Sequence, residues 1–91
     1  MSEFIFQEIR VERHRQNNLF GQQNHNPFIY LSILGEEVGE VHKAALESYD
    51  FKTGQFNSEK LEDTYREELI QVAAVAVAMV ESFDRTKKNE T

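Results

Sequence analysis

The run Leu69–Val80 is apolar at every position except Gln71. Wound as a helix, it presents apolar side chains on all sides, and such a helix must be covered on several of them. Its β-branched residues also suit a strand. The recurring alanines and a length of 12 residues favour the helix. The run is too short for the ~18–20 apolar residues of a membrane span. A chain of 91 residues makes a single domain, 1–91. Such a chain buries only about 60–65% of its unfolded surface, so its own core is modest. Three helices cannot wrap two strongly apolar ones. The expected architecture is therefore all-α, a helical bundle completed by oligomerisation with a second copy, as a homodimer or homotetramer.

The rest of the chain supplies those helices. Phe4–Asn18 reads as a charged helix with a narrow apolar stripe through Ile5 and Ile9. The segment from Gly21 to Asn26 reads as loop, with Asn26 as N-cap and Pro27 at the first helical position of a second helix reaching Ser48. Tyr49–Asn57, containing Thr53-Gly54, reads as a turn. Ser58 is the expected N-cap of a third helix, with Glu59 and Glu62 in its first turns. That helix is expected to end at Phe83 or Asp84, leaving 85–91 as a charged tail. The second helix has two apolar stripes. One is Leu31, Leu34, Val38, Val41 and Ala45. The other is Ile33, Glu37, Glu40 and Ala44, so two acids sit among small and apolar neighbours.

Charge narrows the function classes. The net charge is −6, and residues 36–68 hold ten acids against four bases. An acidic centre repels phosphate backbones and lacks the footprint of a nucleic-acid binder; it suits cations. There is no Cys, which excludes disulfides, thiolate metal sites and a cysteine nucleophile. The opening residues carry no apolar run of the signal-peptide kind, so a cytoplasmic protein is expected, with no membrane partner. No Gly-x-x-x-x-Gly-Lys-Ser/Thr run is present, so a P-loop has no support.

Glu36, Glu37, Glu40 and Glu68 are the candidate chemistry. Carboxylates at i and i+3 of a helix project to one side and can share a hard cation such as Mg²⁺. Crowded on a partly apolar surface, they repel each other and are costly to leave unpaired. The competing reading is a solvated acidic face.

Two segments carry a family resemblance: Gly35-Glu36-Glu37-Val38-Gly39-Glu40-Val41 and Arg66-Glu67-Glu68-Leu69-Ile70-Gln71-Val72. They resemble the MazG-like all-α nucleoside triphosphate pyrophosphohydrolases, whose signature is a Glu-Glu-x-x-Glu helix and a Glu-x-x-Asp helix. Glu12-Arg13, Gln16, Phe20-Gly21, Gln23, His25 and Pro27 are similar to the upstream pattern of one subgroup. The resemblance spans roughly Val11 to Ser82. It implies an antiparallel helical bundle of that type and a Mg²⁺ or Mn²⁺ cofactor. It also implies hydrolysis of a nucleoside triphosphate to monophosphate and pyrophosphate, in nucleotide-pool house-cleaning. Metal ligands would be Glu36, Glu37, Glu40, Glu68 and, through its amide oxygen, Gln71, with Glu37 or Glu40 as catalytic base. Gln71 stands where the family more usually has Asp, and an amide supplies no charge. Lys43, Arg66 and His25 are the candidate substrate-binding residues. Phosphoribosyl-ATP pyrophosphohydrolase activity is the related alternative. A non-catalytic helical dimer binding a cation or nucleotide is the alternative of another class, and a plain interaction module is a third.

Overall fold

The computed structural model describes residues 2–56 and 59–89, with side-chain environments for 2–56 and 64–87. Three helices dominate: α1 (Ser2–Phe20), α2 (Pro27–Ser48) and α3 (Glu59–Asn89). Strands β1 (Tyr49–Asp50) and β2 (Gln55–Phe56) form a small antiparallel hairpin between α2 and α3, pairing Tyr49 with Phe56 and Asp50 with Gln55. The chain is therefore mostly helical, as expected. None of the helices, among the described residues, is long and apolar enough to cross a membrane.

Local chemistry sets the boundaries. Asn26 caps α2 as expected: its Oδ1 accepts from the amides of Phe28 at 2.9 Å and Ile29 at 3.0 Å, with Pro27 following. Gly21 ends α1 in the left-handed region, at φ +72°, and its amide donates to the Asn17 carbonyl. The segment expected as a plain turn holds the two-stranded ladder. Asp50 closes it, accepting from the Lys52 amide on its side chain and from the Gly54 amide on its carbonyl, both at 2.8 Å. Gly54 supplies the required φ of +71°. Tyr49 meets Phe51 and Phe56 edge-on, and Phe56 leans on Tyr65 of α3, which pins the hairpin to that helix. The Ser58 cap, with the side chains of Glu59, Leu61 and Glu62, lies outside the described residues.

Helix α3 passes the expected stop at Asp84 and continues to Asn89, through much of the stretch read as tail. The reason is an anchor that charge patterning does not reveal. Arg85 donates to the Asn24 side chain at 3.0 Å and to the Gln23 carbonyl at 3.2 Å, tying the 21–26 loop to the last turns of α3.

The order is up, down, up. Tyr30 of α2 shares a cleft with Met79 and Ser82 of α3, while the β-hairpin joins the opposite ends, so these two helices are antiparallel. Glu8 meets Arg66 and Arg13 meets Glu81, so α1 runs in the same direction as α3. The apolar core is Tyr30, Ala44, Ala74 and Val75, with Ser48 and Ser82 also buried. Of the two α2 stripes, one turns Ile33, Glu37 and Ala44 inward but leaves Glu40 exposed, and the other half-buries Leu34, Val41 and Ala45. Leu31 and Val38 of that second stripe are exposed. On α3, Leu69, Val77 and Val80 remain exposed, so the all-round apolar run is covered only in part within one chain.

Candidate functional site

The inward stripe of α2 brings Glu37 against Glu68 of α3. Both side chains are half-buried, yet in each the Oε2 oxygen is sealed from solvent and has no hydrogen-bond partner. The two carboxyls lie within hydrogen-bonding reach of each other. With both ionised, neither has a proton to donate, so the contact is repulsive unless one is protonated.

The electrostatics follow. Burial pushes the Glu37 carboxyl above the ordinary carboxylate range, and the charges of Glu68, Glu40, Glu12 and Glu36 push it the same way. Burial likewise raises Glu68, reinforced by Glu40 and Glu67 and partly offset by the contact with Glu37. Removing water and adding like charges both disfavour the ionised form. A buried, mutually repelling pair is a place where a cation or a shared proton lowers the free energy.

A cleft of about 260 Å³ opens beside this pair, between all three helices. Glu37, Gln71, Ile33 and Val75 form its α2–α3 wall, and Glu12, Arg15 and Gln16 its α1 wall. Glu12 accepts from Arg15 at 2.8 and 2.6 Å and from Gln16 at 3.2 Å. The Arg15 guanidinium holds the Glu12 carboxyl below its usual range, opposite in sense to Glu37. One cleft thus contains an acid kept ionised and an acid pushed toward its neutral form.

No family model, curated protein or solved structure matches the chain.

The candidate residues fall into two groups. Glu37, Glu68 and Gln71 come together, with Glu36 and Glu40 exposed on α2 and close enough for their charge to be felt at Glu37. Among the described residues, no three His, Asp or Glu side chains converge closely enough to form a metal cage. Lys43, Arg66 and His25 stand apart. Lys43 is exposed and lies roughly 120° round α2 from Glu37. Arg66 gives both terminal nitrogens to Glu8, at 2.6 and 2.9 Å, in a neighbouring groove between α1 and α3. His25 packs edge-on against Tyr30, with ring centres 5.1 Å apart, in a separate cleft with Met79, Ser82 and Phe83. The cations that do line the acid cleft are Arg13 and Arg15. Their signal in the sequence is the Glu12, Arg15 and Gln16 spacing, which places all three on one side of α1.

Proposed function

We propose that this chain is a Mg²⁺-dependent nucleoside triphosphate pyrophosphohydrolase of the MazG-like kind, working as a homodimer or homotetramer. The observation that carries the reading is the Glu37–Glu68 pair, two sealed carboxylate oxygens from two helices with no donor between them. That donor set fits a hard divalent cation: oxygen ligands, excess negative charge and no competing amine or thiol. Glu37 and Glu68 would hold the ion, with Glu36 and Glu40 at the rim and the Gln71 amide oxygen in the cleft wall. When bound, Mg²⁺ or Mn²⁺ neutralises triphosphate charge and lowers the pKa of a coordinated water.

The chain's own groups supply the rest. Water attacks the α-phosphorus, the bond from that phosphorus to the bridging oxygen breaks, and monophosphate and pyrophosphate leave. Glu37 takes the water's proton where the ion leaves one of its oxygens free. Glu40, more exposed, is the alternative acceptor. Arg15, tied to Glu12, is the cation on the opposite wall available to a phosphate oxygen.

A second reading is binding of a cation or nucleotide without turnover. It is favoured by Gln71 in the cleft wall and by the lack of three converging acids among the described residues. One experiment separates the two. A panel of nucleoside triphosphates is incubated with Mg²⁺ and pyrophosphate release is followed, alongside thermal melts with and without the metal. Turnover is expected in the wild type. It should fall at least about a hundredfold in Glu40→Gln and Glu68→Gln, on the scale of losing a charged catalytic contact, while helical circular dichroism is kept. Gln71→Asp should tighten Mg²⁺ binding and keep or raise activity. Activity absent in the wild type but gained in Gln71→Asp favours the binding reading. Activity that persists in both carboxylate variants removes the catalytic assignment.

A further inference from the structure

The loop between α1 and α2, residues 21–26, reads Gly-Gln-Gln-Asn-His-Asn. It has no aliphatic side chain to bury, so polar ties set its path. Those ties come from α2 and from the far end of the chain. Arg85 donates from Nε to the Asn24 side-chain oxygen at 3.0 Å and from Nη2 to the Gln23 carbonyl at 3.2 Å. The Tyr30 hydroxyl donates to the same carbonyl at 2.8 Å, and the buried Ser82 hydroxyl lies 3.5 Å from the same Asn24 oxygen. Acceptors on two neighbouring loop residues thus meet the two donors along one edge of a planar guanidinium. A lysine ammonium does not reproduce that fork.

Arg85 also differs from the other arginines that reach out of their own turn. Arg13, Arg15 and Arg66 each meet a carboxylate, on Glu81, Glu12 and Glu8. Arg85 is half-buried and makes no ion pair among the described residues, in a chain with 16 acids. Hydrogen bonds from a charged donor are stronger than those between neutral groups, and those of Arg85 go to the loop.

The loop is a wall shared by two clefts. Gly21 and Gln23 line the acid cleft, while Asn24, His25 and Asn26 line the neighbouring cleft beside Met79 and Phe83. Arg85 lines neither. At one end of the loop Gly21 turns the chain at φ +72°; at the other Asn26 is fixed by capping α2. Between these ends, Arg85 and Tyr30 supply the short bonds, and only Arg85 reaches both Gln23 and Asn24.

We propose that Arg85 is a positioning residue for the acid cleft: it draws loop 21–26 onto the last turns of α3 and so sets the wall that Gly21 and Gln23 contribute. The inference rests on the reading of that cleft as a triphosphate site. Arg85 acts through the loop and does not reach the substrate. Glu37, Glu68 and Gln71 stand on α2 and α3 and keep their places without it. Loss of Arg85 therefore weakens capture of the nucleotide and leaves the chemical step intact.

The test is steady-state hydrolysis of the common ribo- and deoxyribonucleoside triphosphates with Mg²⁺, alongside calorimetric binding of their α,β-imido analogues. Arg85→Ala and Asn24→Ala should each raise KM about tenfold or more, with kcat within about twofold of the wild type. Asn24 lines the other cleft, so its substitution reaches the acid cleft through the loop. Both substitutions together should do no more than one, because they remove the same tie. Arg85→Lys keeps the charge without the fork and should fall between. In Arg85→Ala the backbone order parameters of residues 22–25 should drop from the rigid range, about 0.85, toward about 0.6, while the amides of Ala74 and Val75 keep their protection. Unchanged loop order, a loss confined to kcat, or additive effects of the two substitutions overturn the proposal. Where the wild type binds the analogues without turnover, the same shift is expected in Kd. A wild type that neither hydrolyses the triphosphates nor binds the analogues overturns the hydrolase reading and the role of Arg85 with it. Failure of the inference alone looks different: the wild type and Arg85→Ala then bind and turn over alike.

Discussion

The α2–α3 hairpin and helix α1 are held by different forces. Between α2 and α3 the chain buries Tyr30, Ala44, Ala74, Val75, Ser48 and Ser82. Helix α1 has no fully buried residue. Its cross-helix polar ties include, among the described residues, the Arg66–Glu8 pair and the Arg13–Glu81 pair, the latter at 2.9 Å. Burial is insensitive to salt, whereas exposed charge pairs are screened by it and individually weak. Regions with few buried contacts open at lower free energy than the core. The acid cleft spans both regions. Glu37, Glu68 and Gln71 belong to the buried hairpin, while Glu12 and Arg15 belong to the helix held by charge. One wall of the site is fixed by packing and the other by electrostatics.

The largest expected effect lies in the packed region. Tyr30 fills the space between α2 and α3, its ring meets His25, and its hydroxyl donates to the Gln23 carbonyl at 2.8 Å. Tyr30→Ala should cost about 3 kcal/mol or more. The midpoint of urea unfolding should fall without a change in slope. A loss below about 1 kcal/mol would mean that this core is not what holds the hairpin.

The next effect contrasts the two walls through pH. Glu37 and Glu68 bind protons more tightly in the fold than in the unfolded chain. The native state then carries more protons, so stability falls as pH rises from the unfolded carboxylate range, ~4.3, through the raised folded values. Glu12 acts in the opposite sense. Its carboxyl is held down by Arg15, so its contribution is present above that range and is lost as pH drops below it. In Glu37→Gln the new amide can donate to Glu68. That variant should gain on the order of 1 kcal/mol near neutral pH, because an unpartnered buried acid is removed. Its melting temperature should also decline less between acid and neutral pH than that of the wild type. An unchanged pH profile would show that the pair is not under strain.

Much of this arrangement was legible in the sequence, for identifiable reasons. The period of apolar residues gave three helices, and Asn26-Pro27 gave the start of α2, because these are local signals. Glu37 stood out because acids seldom interrupt an apolar stripe; its side chain is half-buried, whereas Glu40 of the same stripe is exposed. Three features were not legible. The β-hairpin escaped because a two-residue strand is too short to show alternation; its ladder depends on Tyr49, Phe56 and Tyr65 meeting in space. The reach of α3 past Asp84 depends on Arg85 finding Asn24, a partner 61 residues away. The cations that line the cleft, Arg13 and Arg15, escaped for a similar reason. Arg66 and Lys43 are near the acids along the chain, but Arg66 turns to Glu8, and Arg15 arrives from another helix. Proximity in sequence predicts a shared face within one helix and nothing about which helix packs opposite.

The smallest expected effect tests the charge-held wall directly. Arg13 donates to Glu81 at 2.9 Å, to Gln16 at 2.8 Å and to Asn17 at 3.1 Å, so it joins α1 to α3 and braces α1 itself. Arg13→Gln should shift the global unfolding midpoint by less than about 1 kcal/mol, the usual worth of such pairs. Its effect should instead appear locally, as faster hydrogen exchange of the α1 amides while those around Ala74 and Val75 keep their protection. Added salt should move the wild type in the same direction, since screening weakens the pairs at Arg66 and Arg13 without touching the buried residues. If α1 exchanges together with the α2–α3 core and ignores salt, then Ile9 and its apolar neighbours hold α1, and the contrast between the regions fails. If α1 loosens alone, Glu12 and Arg15 leave the cleft with it. Any metal-dependent gain in melting temperature should then be retained, because Glu37 and Glu68 stay in place, while affinity for a triphosphate drops with the loss of the Arg15 wall.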